Sequence, residues 1–368
     1  MNNLARRTLV CVVDANPKFR GDVAQALKSF YDIAEYSEQG SALEAIAFNP
    51  PAAVILDENV FPRGGLPLLR EICCVPDLDR VPIVCTATHD RSVFLADAIG
   101  LGVRTTLVKP FRRSVLLAAI SKEINGKIER SWVRIEPTQR AALQRTTQIF
   151  NSIADLIDNG EALPYQKVQE ACQPLIDAIR NGNYQDMLNG VRDHDNYTYV
   201  HSLRVAIFLS VFGQAIGVRG NDLLTLASGG LMHDVGKMSV PYGILNNPGR
   251  LSDEEMEIMR SHVTSTASFL SNSPGLPRGV KTIAEQHHEK LDGTGYPLGL
   301  KGKELNELAR MASIVDIYGA LTDRRAYKEA MEPAHALQIM AQLKGQLDQH
   351  LLKVFREVLL DSAADMPT

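Results

Sequence analysis

The adjacent pair His233-Asp234, inside Leu231-Met-His-Asp-Val-Gly-Lys237, constrains this chain more than any other feature. On a helix the two side chains point about 100° apart, so both can lean into one cluster. Asp234 offers two oxygens that can join two cations, and His233 supplies a neutral imidazole nitrogen. His201 lies upstream, and His262, His287, His288 and Asp316 lie downstream. Together they are enough ligands for two divalent metals sharing a carboxylate. Lys237, a turn beyond Asp234, places a fixed positive charge where it could face a bound phosphate. A single histidine on an apolar helix face is more often a hydrogen-bonded core residue than a ligand. The His287-His288 adjacency weakens that reading, and so does Asp316 among Ala312, Ile314, Val315 and Ile317. An unpaired carboxylate in apolar surroundings is costly, which leaves a metal or a buried salt bridge for Asp316.

The 368 residues leave room for two domains and an extra helical element. A formal net charge of -4 argues against a nucleic-acid polymer as the main partner. The five cysteines, Cys11, Cys73, Cys74, Cys85 and Cys172, show no paired zinc-knuckle spacing and suit a reducing, cytoplasmic location. After Arg6-Arg7 the apolar run Leu9–Val13 is too short for a signal-peptide core. No run approaches the ~18 apolar residues of a spanning helix, so membrane insertion is not expected.

Residues 1–126 read as an α/β domain, a doubly wound parallel sheet. Thr8–Val13, Asp32–Ser37, Ala53–Leu56, Val81–Thr86 and Thr105–Val108 are expected strands, with helices over Asp22–Phe30 and Gly40–Phe48. Unbroken apolar strands alternating with amphipathic helices indicate a parallel sheet covered on both faces. Ligands of such sheets gather at the carboxyl ends of the strands, where this sequence places Asp14, Asp57, Thr86 and Lys109. The alternative is a set of solvated strand-end residues.

With those four residues in order, the segment from about Thr8 to Gly126 resembles the flavodoxin-like receiver domain of bacterial response regulators. The resemblance implies Asp57 as phosphoacceptor from a cognate histidine kinase, with Thr86 and Lys109 contacting the phosphoryl oxygens. Gly65 matches the glycine after the phosphoacceptor loop. Receivers usually carry two adjacent acidic residues after the first strand, and here the second is Ala15. Phe61-Pro62 stands where the usual loop proline is displaced, and Thr106 takes the aromatic switch position. A magnesium site lacking one carboxylate is expected to be weak, because a hard ion needs near-octahedral oxygen ligation. Phosphorylation control and a degenerate receiver used only for dimerisation both remain open.

Residues 127–190 read as a helical connector. Ser114–Arg134 extends the last receiver helix to Trp132, Pro137 interrupts it, and Thr138–Asn159 and Tyr165–Ile179 follow as helices, the second kinked at Pro174. The apolar spacing is not a sustained heptad, so a long coiled coil is not expected. The connector either passes on a change in receiver pairing or is a passive spacer.

Residues 191–368 read as almost wholly helical. Val200–Ile216 is opened by His201, Asp222–His233 leads to the central motif, and Val280–Glu289 carries His287 and His288. Leu308–Leu321 carries Asp316. Ser252 and Glu255 form a capping box for a helix that has His262 near its end.

This region resembles the HD superfamily of metal phosphohydrolases, an all-α helical bundle, and within it the HD-GYP branch. The motifs are His233-Asp234, His287-His-Glu-Lys-Leu-Asp-Gly-Thr-Gly-Tyr-Pro297 and Asp316-Ile-Tyr-Gly-Ala-Leu-Thr-Asp323. The resemblance, over roughly residues 191–345, implies hydrolysis of cyclic di-GMP to pGpG and, in some members, GMP. It implies a first metal on His201, His233, Asp234 and Asp316, and a second on Asp234, His262, His287 and His288. Such metals lie about 3.5–4 Å apart and hold a bridging hydroxide. Lys237 would steady a phosphate oxygen, making it and Asp234 the catalytic candidates. Gly293, Gly295 and Pro297 would shape a rigid loop, with Tyr296 presenting its ring to a base or a partner protein. Nitrogen-rich ligation suits iron, manganese, nickel, cobalt or zinc better than magnesium. Tyr197 replaces the glutamate of members that hold a third metal, so two are expected; Asn247 replaces a usual lysine. His89, His194, His335 and His350 are read as surface or core residues.

The reading that follows is a homodimeric two-component output enzyme in which a receiver controls a cyclic di-GMP phosphodiesterase. Two alternatives stand beside it. One is a scaffold that hydrolyses little and works by binding a diguanylate cyclase or another signalling protein. The other is a phosphodiesterase preferring pGpG or another nucleotide.

Overall fold

The computed structural model describes residues 8–364 apart from 77, 79, 183, 193, 248 and 324–329. The outermost residues of both predicted terminal domains therefore lie outside the described ones. The chain divides into two compact units, Met1–Arg130 with Pro241–Asn246, and Ser131–Val240 with Asn247–Thr368.

The first unit runs β1 (Leu9–Val13), α1 (Pro17–Leu27), β2 (Asp32–Tyr36), α2 (Gln39–Phe48), β3 (Ala53–Asp57), α3 (Gly65–Cys74), β4 (Ile83–Ala87), α4 (Val93–Gly100), β5 (Thr105–Val108) and α5 (Arg113–Ser131). All strand pairs are parallel and the order is β2-β1-β3-β4-β5, so the expected doubly wound, flavodoxin-like sheet is what forms. β3 and β4 are buried along their whole length, as strands covered on both faces must be. Cys11, Val13, Val54, Leu56 and Cys85 join Leu68, Leu69 and Ile72 of α3 in one core cluster.

The expected helix at Asp22–Phe30 begins five residues earlier. Pro17 occupies its first turn, and the Asn16 side chain caps it by accepting from the amides of Lys18 and Phe19 at 3.0 and 3.2 Å. Proline is favoured there because its missing N–H has no partner to lose.

The second unit begins with a 3-10 turn at Trp132–Arg134, where the Trp132 indole donates to the Gly190 carbonyl at 2.8 Å. Pro137 starts a helix: α6 (Pro137–Asp158) is capped by the Glu136 carboxylate. α7 (Tyr165–Arg180) holds Pro174 within it, and α8 (Gln185–Val191) follows. Then come α9 (Tyr197–Ala215), α10 (Gly220–Met232), α12 (Asp253–Ser271) and α13 (Arg278–Gln286), the short α11 (Tyr242–Leu245) between α10 and α12 in sequence being grouped with the first unit. The last three are α14 (Glu307–Thr322), α15 (Pro333–Gln342) and α16 (Gln349–Ala364). This unit is an all-α bundle whose core includes Leu203, Ile207, Phe212, Leu231 and Ile314. No helix among the described residues is long and apolar enough to cross a membrane.

The expected capping box at α12 forms in both directions, Glu255 N–H to Ser252 Oγ at 3.2 Å and Ser252 N–H to Glu255 Oε2 at 2.9 Å. Three placements differ from expectation. His201 does not open its helix, because Asn196 caps α9 four residues before Val200 and adds a first turn. His262 sits in the middle of α12, since Val263, Thr266 and Leu270 continue its buried stripe to Ser271. His233-Asp234 and His287-His288 lie just past the ends of α10 and α13, not within them. Leaving the helix frees each pair from the 100° offset of helical neighbours, so both members can face one point.

Candidate metal centre

Five segments of the helical unit converge on one point. His201 comes from α9, His233 and Asp234 from the end of α10, and His262 from α12. His287 and His288 follow α13, and Asp316 comes from α14. Their ligand atoms form two overlapping groups, each within 4.8 Å: His201, His233, Asp234 and Asp316, and Asp234, His262, His287 and His288. Asp234 belongs to both. All are buried except His288, which is partly exposed.

Backing bonds decide which nitrogen of each ring faces inward. Nδ1 of His233 meets the Gly230 carbonyl at 2.7 Å, Nδ1 of His262 that of Met259 at 2.6 Å, and Nδ1 of His287 that of Ala284 at 3.0 Å. A carbonyl can only accept, so each Nδ1 carries the proton. Each Nε2 then points into the cluster with its lone pair available when the ring is neutral. Nε2 of His233, His262 and His287 and Oδ1 of Asp234 are buried and make no well-formed hydrogen bond. Each such orphan costs about 1–3 kcal/mol if nothing meets it. Four orphans of the metal-ligating kind aimed at one point fit a pair of divalent cations, which a chain of neutral side chains could not replace.

Imidazoles and carboxylates of the cluster shift one another's charge. Burial alone would lower the His233 imidazole, but the Asp234 and Asp316 carboxylates more than reverse that and raise it to about 10. Burial also opposes the charge on His201, and hydrogen bonds to Asp316 and Asp323 override it and raise that group too. Asp234 and Asp316 go the other way. Their burial is outweighed, for Asp234 by His233 and Lys237 and for Asp316 by His201 and His233, and both are held well below the usual carboxylate range. His287 and His288 are lowered, by burial first. Lys237 forms an ion pair with Asp234 Oδ2, the oxygen that lies 3.2 Å from His233 Nε2.

The loop after His288 closes one side. Gly293 has φ +78°, and a Cβ on Gly295 would lie 2.5 Å from Glu289 Cα, so the chain doubles back tightly. The Tyr296 ring stacks on His288 at 4.7 Å, followed by the cis Tyr296-Pro297 bond. Tyr296 and Lys237 thus flank the ligand groups, while the glycines and Pro297 shape the turn that presents Tyr296.

In the α/β unit, Asp14, Asp57, Thr86 and Lys109 also meet. Lys109 Nζ lies 2.6 Å from Asp14 Oδ2 and 2.5 Å from Asp57 Oδ2, and the Thr86 hydroxyl donates to Asp57 Oδ2 at 2.7 Å. Burial raises Asp14 above its ordinary value, against the pull of Lys109.

A family model described as an HD domain matches residues 187–351, and one described as a response regulator receiver domain matches residues 10–121. The chain is a receiver domain joined to an HD-type domain. That architecture matches the HD-GYP-like cyclic di-GMP phosphodiesterases. The cyclic di-GMP phosphodiesterase PA4108 of Pseudomonas aeruginosa is 34% identical over 177 residues, 48% of this chain and 43% of the relative. A 3'3'-cGAMP-specific phosphodiesterase of Vibrio cholerae is 37% identical over 168 residues, 44% of this chain and 35% of the relative. The cyclic di-GMP phosphodiesterase response regulator RpfG of Xanthomonas campestris is 27% identical over 331 residues, 89% of this chain and 79% of the relative. The chain therefore spans less than half the length of the first two and most of the third.

Several HD-domain residues of consequence were not assigned roles from sequence. Glu289 is 1% exposed and accepts from three successive amides after the Gly-Tyr-Pro turn, Leu298 at 2.6 Å, Gly299 at 3.1 Å and Leu300 at 2.9 Å. Arg260 places its guanidinium 5.2 Å from the centre of the Tyr296 ring. Asp323 backs His201. An acid directly after the His287-His288 pair is a signal that could have singled out Glu289; Arg260 on an exposed helix face gives none. Of the histidines read as surface or core, His89, His335 and His350 are exposed, and His194 is buried against Trp132.

Proposed function

We propose that this chain is a response regulator whose HD domain hydrolyses cyclic di-GMP, with two divalent transition metals held by the two ligand groups. The observation that carries the reading is the shared Asp234 between two groups of buried, inward-facing ligand atoms. Iron, manganese, nickel, cobalt and zinc all suit this imidazole-rich set. When bound, such a pair supplies a water-derived nucleophile at neutral pH and charge stabilisation for phosphorus. The chain's residues do the rest. His201, His233 and Asp316 hold one side, His262, His287 and His288 hold the other, and Asp234 joins them. Lys237 offers its ammonium to a non-bridging phosphate oxygen, and Tyr296 offers a ring face to a guanine. Water adds across one P–O3' bond: the phosphorus keeps the new oxygen as a 5'-phosphate, the 3'-oxygen takes a proton, and linear pGpG results. A second cut at the remaining diester gives GMP.

The relatives named for cyclic di-GMP and for 3'3'-cGAMP support a cyclic dinucleotide as substrate class. The proposed division is a receiver over 1–126, a connector over 127–190 and the metal domain over 191–368. Phosphorylation of Asp57 by a histidine kinase acts through that connector in a cytoplasmic homodimer. The test is anaerobically purified protein, analysed for metal and incubated with cyclic di-GMP, 3'3'-cGAMP and pGpG, with products separated by chromatography. Two metals per chain and pGpG release are expected from wild type, and loss of both from Asp234→Ala. Asp234→Ala with two metals and near-normal turnover sinks the dinuclear reading; turnover of 3'3'-cGAMP alone moves the substrate.

A further inference from the structure

The inward-facing histidines are not backed alike. His233, His262 and His287 lean on backbone carbonyls, whereas His201 Nδ1 donates to the Asp323 carboxylate at 2.8 Å. Asp323 is itself 4% exposed and forms an ion pair with Arg204 through its other oxygen. Arg204 lies three residues after His201 on α9, so both face the same side, and its Nη2 also donates to Thr322 Oγ1 at 3.2 Å.

The spacing between Asp316 within α14 and Asp323, the residue that caps its C-terminal end, builds this grip. Asp316 and Asp323 are seven residues apart, two helical turns, and so lie nearly above one another. The His201 ring fits between them, with Nε2 2.8 Å from Asp316 Oδ1 and Nδ1 2.8 Å from Asp323 Oδ2. Gly319 lies between the two aspartates, and a Cβ there would come within 3.3 Å of His201 Cε1. Tyr197 stacks on the ring at 5.9 Å. Among the described residues, Asp323 bonds to this ligand and to no other.

We infer that Asp323, anchored by Arg204, is a positioning residue that makes the His201 side of the centre the tighter of two unequal metal positions. The inference rests on the dinuclear reading above and deepens it. A carboxylate behind an imidazole fixes its tautomer and raises its basicity, and loss of such a partner weakens metal binding by about 10–100-fold. The same position has two carboxylate ligands, Asp234 and Asp316, while the other has one carboxylate and three imidazoles. Both differences act in the same direction.

Asp323→Asn removes the backing without changing size. One end of an amide is a donor. If its oxygen faces Arg204, its NH2 meets His201 Nδ1, which forces the proton onto Nε2, the ligating nitrogen. If the oxygen faces His201, the NH2 opposes the guanidinium.

The experiment strips the full chain with a chelator and titrates it with Mn(II), following free ion by electron paramagnetic resonance and heat by calorimetry. Wild type, Asp323→Asn and Arg204→Met are compared, with circular dichroism reporting folding. Wild type is expected to bind two ions, one more tightly. In Asp323→Asn the tighter event weakens about 10–100-fold, while the weaker one changes less than about threefold. Arg204→Met weakens that same event in the same direction, and it carries the comparison should Asp323→Asn not fold. Equal weakening of both events, weakening of the looser one, no change, or two equal events in wild type each overturn the inference. Wild type binding fewer than two ions overturns the dinuclear reading itself, and is thereby distinguished from failure of the asymmetry alone.

Discussion

Replacing Glu289 with glutamine is expected to loosen the Gly-Tyr-Pro loop without unfolding the HD domain. Glu289 Oε1 accepts from Leu298 and Gly299, and Oε2 accepts from Leu300. Glutamine can keep the first two by placing its oxygen at Oε1. Its NH2 then faces the Leu300 amide, donor against donor. One charge-assisted bond is lost and two others become neutral, and a hydrogen bond to a charged group contributes about 1.5–3 kcal/mol. A local loss of about 2 kcal/mol follows, which at 1.36 kcal/mol per decade is about 30-fold in the opening equilibrium. Hydrogen–deuterium exchange resolved to the segment 289–301 measures that directly. The amides of Leu298, Gly299 and Leu300 should exchange about 30-fold faster, with α9 and α14 unchanged. Because Tyr296 stacks on His288 from this loop, the Michaelis constant for substrate should rise more than turnover falls. Exchange at 298–300 within threefold of wild type, or equal acceleration across α9 and α14, refutes the reasoning: the first because the clamp contributes nothing, the second because its effect is global.

Lys237→Ala should keep both metals, and even bind them more tightly, because the ammonium competes for Asp234 Oδ2, while kcat/KM falls at least tenfold; metal loss with unchanged turnover per ion contradicts this. Metal loading at pH 7 should release protons, since His233 is raised to about 10 and must be neutral to ligate; binding heats that do not depend on the buffer's ionisation enthalpy would show otherwise. In the metal-free form the same group stabilises the fold fully below its ordinary value of 6.5 and loses that contribution as pH rises through about 10, so apoprotein melting temperature should fall over that window. Ala15→Asp should tighten magnesium binding at the receiver and raise acyl-phosphate labelling of Asp57; no change in either means that the Lys109 bridge, not the missing carboxylate, limits the pocket.

The residues of the two candidate ligand groups were legible because their chemistry is rare in apolar helices: a carboxylate among Ile314, Val315 and Ile317 needs a reason. The parallel sheet was legible for a similar reason, since unbroken runs such as Ala53–Leu56 can only be buried on both faces. Helix ends were less so. Asn16-Pro17 carried a start signal for α1 that the apolar spacing after Asp22 obscured. At His287-His288 the periodicity continues past the point where the backbone leaves the helix. The roles of Asp323 and Arg260 could not be read at all. Asp323 acts through an imidazole 122 positions away, and such a pairing depends on how α9 meets α14, which one-dimensional spacing does not encode.

The charge arrangement connects the metal-free fold to its chemistry. Asp234 and Asp316 are buried ions, and buried ions need partners or they neutralise. Within the cluster their partners are the His201 and His233 imidazoles, both raised by the carboxylates around them, and the Lys237 ammonium. His233, raised to about 10, must give up a proton before it can ligate, so cation loading is expected as an exchange against protons. That exchange also changes the field. Two divalent cations would carry more positive charge than the protons they displace, among buried side chains where an excess of one sign attracts an anion strongly. A phosphodiester is therefore drawn to the loaded centre far more than to the protonated one. Substrate binding and metal occupancy are coupled by electrostatics alone, before any contact with Lys237 or Tyr296 is considered.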